Sequence, residues 1–204
     1  MKMPKPDGGD YEPCPAGNQL AVCARLIDLG TQSTTYAGKP KRQRKLYIEF
    51  QVPGERTADD QPFVVGNRYT FSSSERATLR QHLESWRGRR FTNEEIEDFD
   101  LRNILNKPAC LSIVHNERGG NLYADIAHFS GIPKGTSGPA LEGPTTYLSL
   151  DPEDFDPEVF EALSDRLKET IAASPEYQAL TSGATTSQSA ATQPTGPDDE
   201  NIPF

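Results

Sequence analysis

Leu46-Tyr47-Ile48-Glu49-Phe50-Gln51-Val52-Pro53-Gly54 alternates apolar and polar residues without a break and then stops at a turn pair. A period of two puts Leu46, Ile48, Phe50 and Val52 on one face of a strand and Tyr47, Glu49 and Gln51 on the other. Upstream, Leu20, Val22, Ala24 and Leu26 alternate, and Ile27-Asp28-Leu29 runs to Gly30, so residues 18–30 read as a preceding strand. Residues 30–45 between the two read as a polar, basic loop. Downstream, Arg68 to Ser72 reads as a short third strand after Gly66-Asn67.

The period then changes. Ser72 and Glu75 have capping-box spacing, Leu79, Leu83 and Trp86 share one helical face, and Gly88 ends the helix. Thr92 and Glu95 form a second capping box that opens a short helix toward Phe99 and Leu101. Ala109 to His115 and Leu122 to Phe129 read as two further strands around Gly119-Gly120, a dipeptide suited to a two-residue hairpin turn. Three strands, a helical insertion and two strands are, in order, the elements of the OB-fold, a five-stranded Greek-key barrel. The expected fold is therefore mainly β, with that barrel over residues 18–135 and the helical insertion between its third and fourth strands. Another small antiparallel barrel or an α+β sheet is the competing topology.

Flanking segments differ in composition. Residues 1–17 are rich in Pro and Gly and read as a flexible arm. Residues 136–180 form an extension, with a strand at Thr146 to Leu150 and one helix over about 157–172, capped by Asp156 and opened by Pro157. Its stripe of Phe160, Leu163, Leu167 and Ile171 packs on its own domain or, alternatively, forms a homo-oligomer contact. Residues 181–197 carry no charge and almost no large apolar side chain, the composition of a disordered linker. Residues 198–204, Asp-Asp-Glu-Asn-Ile-Pro-Phe, then close the chain with three acids and an apolar tip.

The formal net charge of −9 argues at first against nucleic acid as a partner, but its distribution reverses that reading. Residues 1–135 hold 19 basic and 17 acidic residues, whereas residues 136–204 hold 2 and 13. The acidic excess thus belongs to the last third, and the basic residues of the first part cluster. Lys39-Pro40-Lys41-Arg42-Gln43-Arg44-Lys45 puts five positive charges in seven residues, and Arg76, Arg80, Arg87, Arg89 and Arg90 form a second group. Local patches outweigh net charge in attracting phosphate, since salt screens beyond about 8–10 Å.

Several function classes fall away. No apolar run reaches the roughly 18 residues of a membrane span. Met1 to Pro15 has two lysines but no apolar core, unlike a secretory signal. Cys14, Cys23 and Cys110, odd in number and without Cys-x-x-Cys spacing, suggest a reducing compartment. A turn at Gly119-Gly120 makes His115 face Ala124 and His128 face Leu111. The two histidines then stand on the order of 13 Å apart, too far to share a zinc ion, so no metal or other cofactor is expected.

A hydrophobic end on an uncharged tether makes sense as a ligand: Phe204 can fill a partner's pocket while the acids meet a basic ridge. This end closely resembles the acidic tip of bacterial and phage single-stranded DNA-binding proteins, which typically finish in aspartates followed by Ile-Pro-Phe. Asp198, Asp199, Ile202, Pro203 and Phe204 match, and Glu200 and Asn201 depart within the acidic run. The segment Leu79 to Thr92, with Phe99-Asp100-Leu101, resembles a pattern of phage replication-region proteins of OB type. The resemblance implies a non-catalytic protein that coats single-stranded DNA during replication, recombination or repair. It also implies recruitment of replication and recombination proteins through Asp198, Asp199, Glu200, Ile202, Pro203 and Phe204, in a cytoplasm that is the bacterial host's if the gene is a phage's.

Single-strand binding needs a basic groove and aromatic faces on which bases stack. OB-folds carry these on strands two and three and in the loops joining strands one–two and four–five. The candidate DNA-binding residues are therefore Tyr36, Lys39, Lys41, Arg42, Arg44, Lys45, Tyr47, Arg68, Arg118 and Tyr123. Tyr69 and Phe71 are expected to face inward, opposite Arg68. Tyr47 and Tyr123 either stack on bases or merely cover the barrel exterior. A nuclease using Asp125, His115, Glu117 or His128, or an adaptor without DNA affinity, are the alternative readings.

Overall fold

The computed structural model describes residues 12–36 and 38–188. Among them six strands and five α-helices follow the chain, besides a short 3-10 helix at Leu101–Ile104: β1 (Gly17–Tyr36), β2 (Lys39–Arg56), β3 (Pro62–Thr70), α1 (Thr78–Arg87), α2 (Asn93–Glu97), β4 (Pro108–Arg118), β5 (Asn121–Ser130), β6 (Thr146–Leu148), α3 (Pro157–Glu161), α4 (Asp165–Ala172) and α5 (Pro175–Gln188). The protein is mainly β, with helices between its third and fourth strands. The sheet runs β3-β2-β1-β4-β5 with antiparallel neighbours, and β6 joins β1 in parallel at Arg25–Ile27.

The edges β3 and β5 share no ladder among the described residues, so the sheet is open. Helix α1 sits over the opening. Tyr69 Oη lies 3.2 Å from His82 Nδ1, and Ser85 Oγ lies 2.9 Å from His128 Nε2. The His82 ring packs edge-on against Phe129 and His128. Inside the curl, Leu46, Ile48, Phe50 and Val52 meet Leu79, Leu83, Ile113 and Phe129 in one core. No helix of the described residues is long and apolar enough to cross a membrane.

A second core lies on the other face of β1. Irregularities at Cys23/Arg25 and Asp28/Gly30 shift the alternation of this strand. Leu26 stays in the first core, while Ile27 and Leu29 turn outward to meet Leu148, Leu150, Phe160, Leu163 and Ile171. The stripe expected at 157–172 therefore packs on its own chain, but as two helices rather than one. Ala162 ends α3, and Ser164 takes the extended conformation that starts α4 anew. Helix α5 is tied to β1 by Glu176, which accepts from Thr31 N at 2.8 Å and Thr31 Oγ1 at 2.5 Å. At Gly30 the α4–α5 junction comes so close that an added Cβ would collide with the Ser174 side chain.

Asp28 joins the two cores. Its carboxylate accepts from Gly30 N at 2.9 Å and Leu150 N at 3.4 Å, and from the Arg44 guanidinium by two nitrogens. Arg44 also donates to Asp151 Oδ1 at 2.9 Å. Hydrogen bonding to Asp28 holds the guanidinium more firmly protonated than usual.

Several expectations need correction. Residues 30–45 are a two-stranded ribbon rather than a loop, paired from Gly30↔Lys45 to Tyr36↔Lys39. Hydroxyl-rich and basic residues give no apolar alternation to read, yet Thr31, Thr34 and Thr35 favour the extended backbone. The third strand begins at Pro62 rather than Arg68, directly after a turn with Asp60 at φ 59°. The box at Ser72 does not form, because Ser72 Oγ and Ser74 Oγ accept instead from Ser74 N and Arg76 N in local turns. The box at Thr92 and Glu95 does form, and so does the Asp156 cap.

Gly119 and Gly120, at φ 60° and 81°, supply the two left-handed positions of the expected tight turn. His115 faces Ala124, but an irregularity at Ser112/Ile113 makes His128 face Ser112 rather than Leu111. The arm is docked where it is described: Cys14 is buried, and its carbonyl accepts from His115 Nε2 at 2.8 Å. The first residues assigned to the 181–197 linker, through Gln188, continue α5, since extending a helix already nucleated against β1 costs little. The candidate tip residues 198–204 lie outside the described residues.

Two outcomes check this account. Replacing Asp28 with Ala strands Arg44 beside the cores. Since the Arg44 side chain keeps 28% exposure, the loss in urea unfolding is near the lower end of the about 3–5 kcal/mol of a broken buried pair. Burial, and then the charge of His128, lower the His82 pKa below its ordinary 6.5. The unfolded chain then binds the proton more readily, so stability is full above pH 6.5 and falls as pH drops from there through the lowered value. Thermal melts of His82→Phe should lack that slope.

Candidate nucleic-acid interface

Beyond the helical cover of β1, the end of β2 and β3 around Lys45, Arg68 and Thr70 stays accessible, whereas Glu49 and Gln51 farther along β2 are buried. Register pairs Lys45 with Thr70 and Tyr47 with Arg68. Lys45, Arg68, Thr70 and the turn after β3 enclose a groove of about 540 Å³, walled also by Gln43, Asn67, Ser72, Ser74 and Arg76. No carboxylate lines it. Lys45 Nζ donates to Thr70 Oγ1 at 2.7 Å, and Arg68 and Arg76 are exposed. Burial, reinforced by the charge of Lys41, lowers the Lys45 pKa. Cations and neutral donors without a competing acid are what a phosphodiester backbone requires.

The candidate residues separate into groups. Lys45 and Arg68 share the groove. Lys39, Lys41 and Arg42 are exposed on the ribbon that leads away from it, and Thr34 Oγ1 donates to the Lys41 carbonyl at 3.2 Å. Tyr36 pairs with Lys39 at the ribbon's end. Arg44, by contrast, is spent on Asp28 and Asp151.

Tyr47 stands on the face of β2 opposite the inner core, as its alternation requires, but it is half-buried against the second core. Its hydroxyl donates to Glu49 Oε2 at 2.8 Å, and the Gly66 backbone lies under its ring. Burial, with the adjacent Glu49 carboxylate, raises its pKa. It covers the sheet more than it offers a face. Arg118 and Tyr123 lie on the β4–β5 hairpin, outside the groove; Arg118 pairs with Asp125 and stands 5.6 Å over the Tyr123 ring.

Two residues at the groove are absent from the candidate set. Arg76 lines the groove from the turn between β3 and α1, and Phe71, expected inside, is 48% exposed. The strand stops at Thr70, so alternation no longer governs Phe71, and the Arg44 guanidinium lies 5.8 Å over its ring. The run Ser72-Ser73-Ser74 before a basic residue was the available signal. The second basic group is mostly structural. Arg80 is buried against Glu84 and the Ser73 and Phe91 carbonyls, while Arg87 and Arg89 pair with Glu95. Those pairs, Arg89 first, hold Glu95 down to about 2.

The groups of the nuclease alternative do not converge. Asp125 is bound by Arg118 and Asn116, His115 by the Cys14 carbonyl and His128 by Ser85. The described residues hold no cluster of three potential metal ligands. A larger hollow of about 660 Å³ between α1 and α2 is walled by Leu83, Trp86, Phe91 and Phe99 and carries Glu94, Glu95 and Asp98. Trp86 donates Nε1–H to the Pro108 carbonyl there at 2.7 Å, away from the basic groove.

The groove predicts a graded response. Changing Lys45, Arg68 and Arg76 together to Gln should reduce affinity for single-stranded DNA and lower the log–log salt slope by about 2, at roughly 0.7 per phosphate contact. Arg118→Gln should change the slope little, because Asp125 already neutralises that guanidinium. Fluorescence anisotropy of a labelled oligonucleotide across a salt series measures both. Compared with models of known protein families and with curated proteins, the chain finds no match.

Proposed function

We infer that the protein binds single-stranded DNA without catalysis, coating it during replication and recombination while its acidic tip recruits partner proteins. The observation that carries this reading is the carboxylate-free basic groove on β2 and β3, in a chain whose excess of acidic over basic residues lies after residue 135. A strand backbone follows Lys45, Arg68 and Arg76, the ribbon of Lys39, Lys41 and Arg42 extends the positive field, and Phe71 offers an aromatic face at the groove's end. Such groove-plus-aromatic surfaces bind bases of any sequence, at about 1–3 kcal/mol per stacked base.

The OB reading accords with the pairing of β1 to both β2 and β4 and with α1 across the β3–β5 opening. The tip of Asp198, Asp199, Glu200, Ile202, Pro203 and Phe204 supplies the recruiting end by its sequence. The setting that fits is a cytoplasm, a bacterial host's for a phage gene.

Labelled poly-dT titrated at low salt tests the reading directly. The expected result is saturable binding, tighter than to duplex of equal length and weakened by salt. Absence of binding, or equal affinity for duplex, overturns it. A labelled strand is a better reporter than intrinsic tryptophan fluorescence, since Trp86 lies away from the groove.

A further inference from the structure

Across the end of β3 from the basic groove lies a second cleft, of about 240 Å³, with a different chemistry. Phe71 and Tyr147 line it, each carrying a cation: Arg44 stands 5.8 Å from the Phe71 centroid and Arg102 5.6 Å from that of Tyr147. Phe71 sits between Thr70 and Ser72, both of which wall the groove. A backbone lying in the groove therefore passes directly beside the cleft.

The rim of the cleft is acidic. Asp151 uses Oδ1 for Arg44 at 2.9 Å yet leaves its side chain 65% exposed. Asp154 reaches its nearest cation, Arg102, only at 3.8 Å and is 43% exposed. Both carboxylates keep open acceptor sites, and neither has a donor to spare. Such a rim repels phosphate, so the part of a strand that enters is the base. The volume is below the about 300 Å³ at which pockets for larger ligands begin, in keeping with a single ring system.

We propose that this cleft is a base-selecting pocket within the single-strand interface, taking one nucleobase against Phe71 and Tyr147 and preferring guanine through Asp154. The proposal rests on the single-strand reading above. Guanine presents N1–H and N2–H₂ side by side, two donors that match the two oxygens of one carboxylate. Cytosine offers its N4–H₂ donor to a carboxylate less completely. Thymine turns a single N3–H toward it, flanked by two carbonyl oxygens that the carboxylate repels. The protein thus binds any strand through the groove and settles with a guanine in the cleft.

Anisotropy titrations compare an all-dT oligonucleotide with the same strand carrying one central dG, for the wild type and for Asp154→Asn. The wild type is expected to bind the dG strand on the order of tenfold more tightly. The variant, which lacks the paired acceptors, is expected to bind both strands alike, and all-dT at least as tightly as the wild type does. Equal wild-type affinities for two strands that both bind overturn the pocket and leave the single-strand reading intact. A preference that survives in Asp154→Asn also overturns it. Binding of neither strand overturns the underlying reading instead.

Discussion

Both faces of β1 must be covered, and the rest of the molecule is arranged to cover them. The strand is 20 residues long and pairs with β2, β4 and β6 in turn. Its inner face is sealed by the curled sheet and α1, its outer face by β6 and the three C-terminal helices. A strand buried on both sides cannot alternate simply between apolar and polar. The irregularities at Cys23/Arg25 and Asp28/Gly30 reset which residues face which core. Asp28, between those cores, is the one buried carboxylate in the strand, and Arg44 and two backbone amides satisfy it.

This arrangement decides where function can lie. The C-terminal helices cover β1, so a long ligand on their side of the sheet runs along the uncovered end of β2 and β3. Ion pairing then sorts the cations. Arg80, Arg87, Arg89 and Arg44 hold helices and strands together, whereas Lys45, Arg68 and Arg76 line a groove with no acid. Arg56, paired to Glu142 at 2.6 Å, belongs with the structural set. The acidic excess beyond residue 135 sits partly on the cover and partly on the tip, so the groove keeps its own sign.

What was legible in the sequence follows from which forces leave a periodic trace. Burial does, and residues 46–52 therefore announced their strand and its inward face. Local hydrogen bonding does as well, so the caps at Thr92 and Asp156 and the turn at Gly119-Gly120 could be read directly. Ladder pairing of hydroxyl-rich and basic residues does not, so the ribbon over 30–45 reads as a loop. Long-range ion pairing is equally silent: nothing near Arg44 in the chain tells it from Arg42, and only the approach of Asp28 and Asp151 does. Alternation carried one residue past the end of β3 places Phe71 inside, whereas beyond Thr70 its side chain turns outward.

The pairing of β1 also sets the order in which the molecule can be completed. Its hairpin with β2 closes through neighbours such as Tyr36 and Lys39, while its tie to α5 joins Thr31 to Glu176, 145 positions away. Contacts so distant in sequence slow folding, since the loop between them must close before they repay its entropy. On a ribosome adding about 5–20 residues per second, the basic ribbon forms early, and Ile27 and Leu29 wait roughly seven to thirty seconds for their full cover. Until β4 and β6 emerge to pair with β1, the newborn chain carries an apolar strand with an unpaired edge, a surface that templates aggregation.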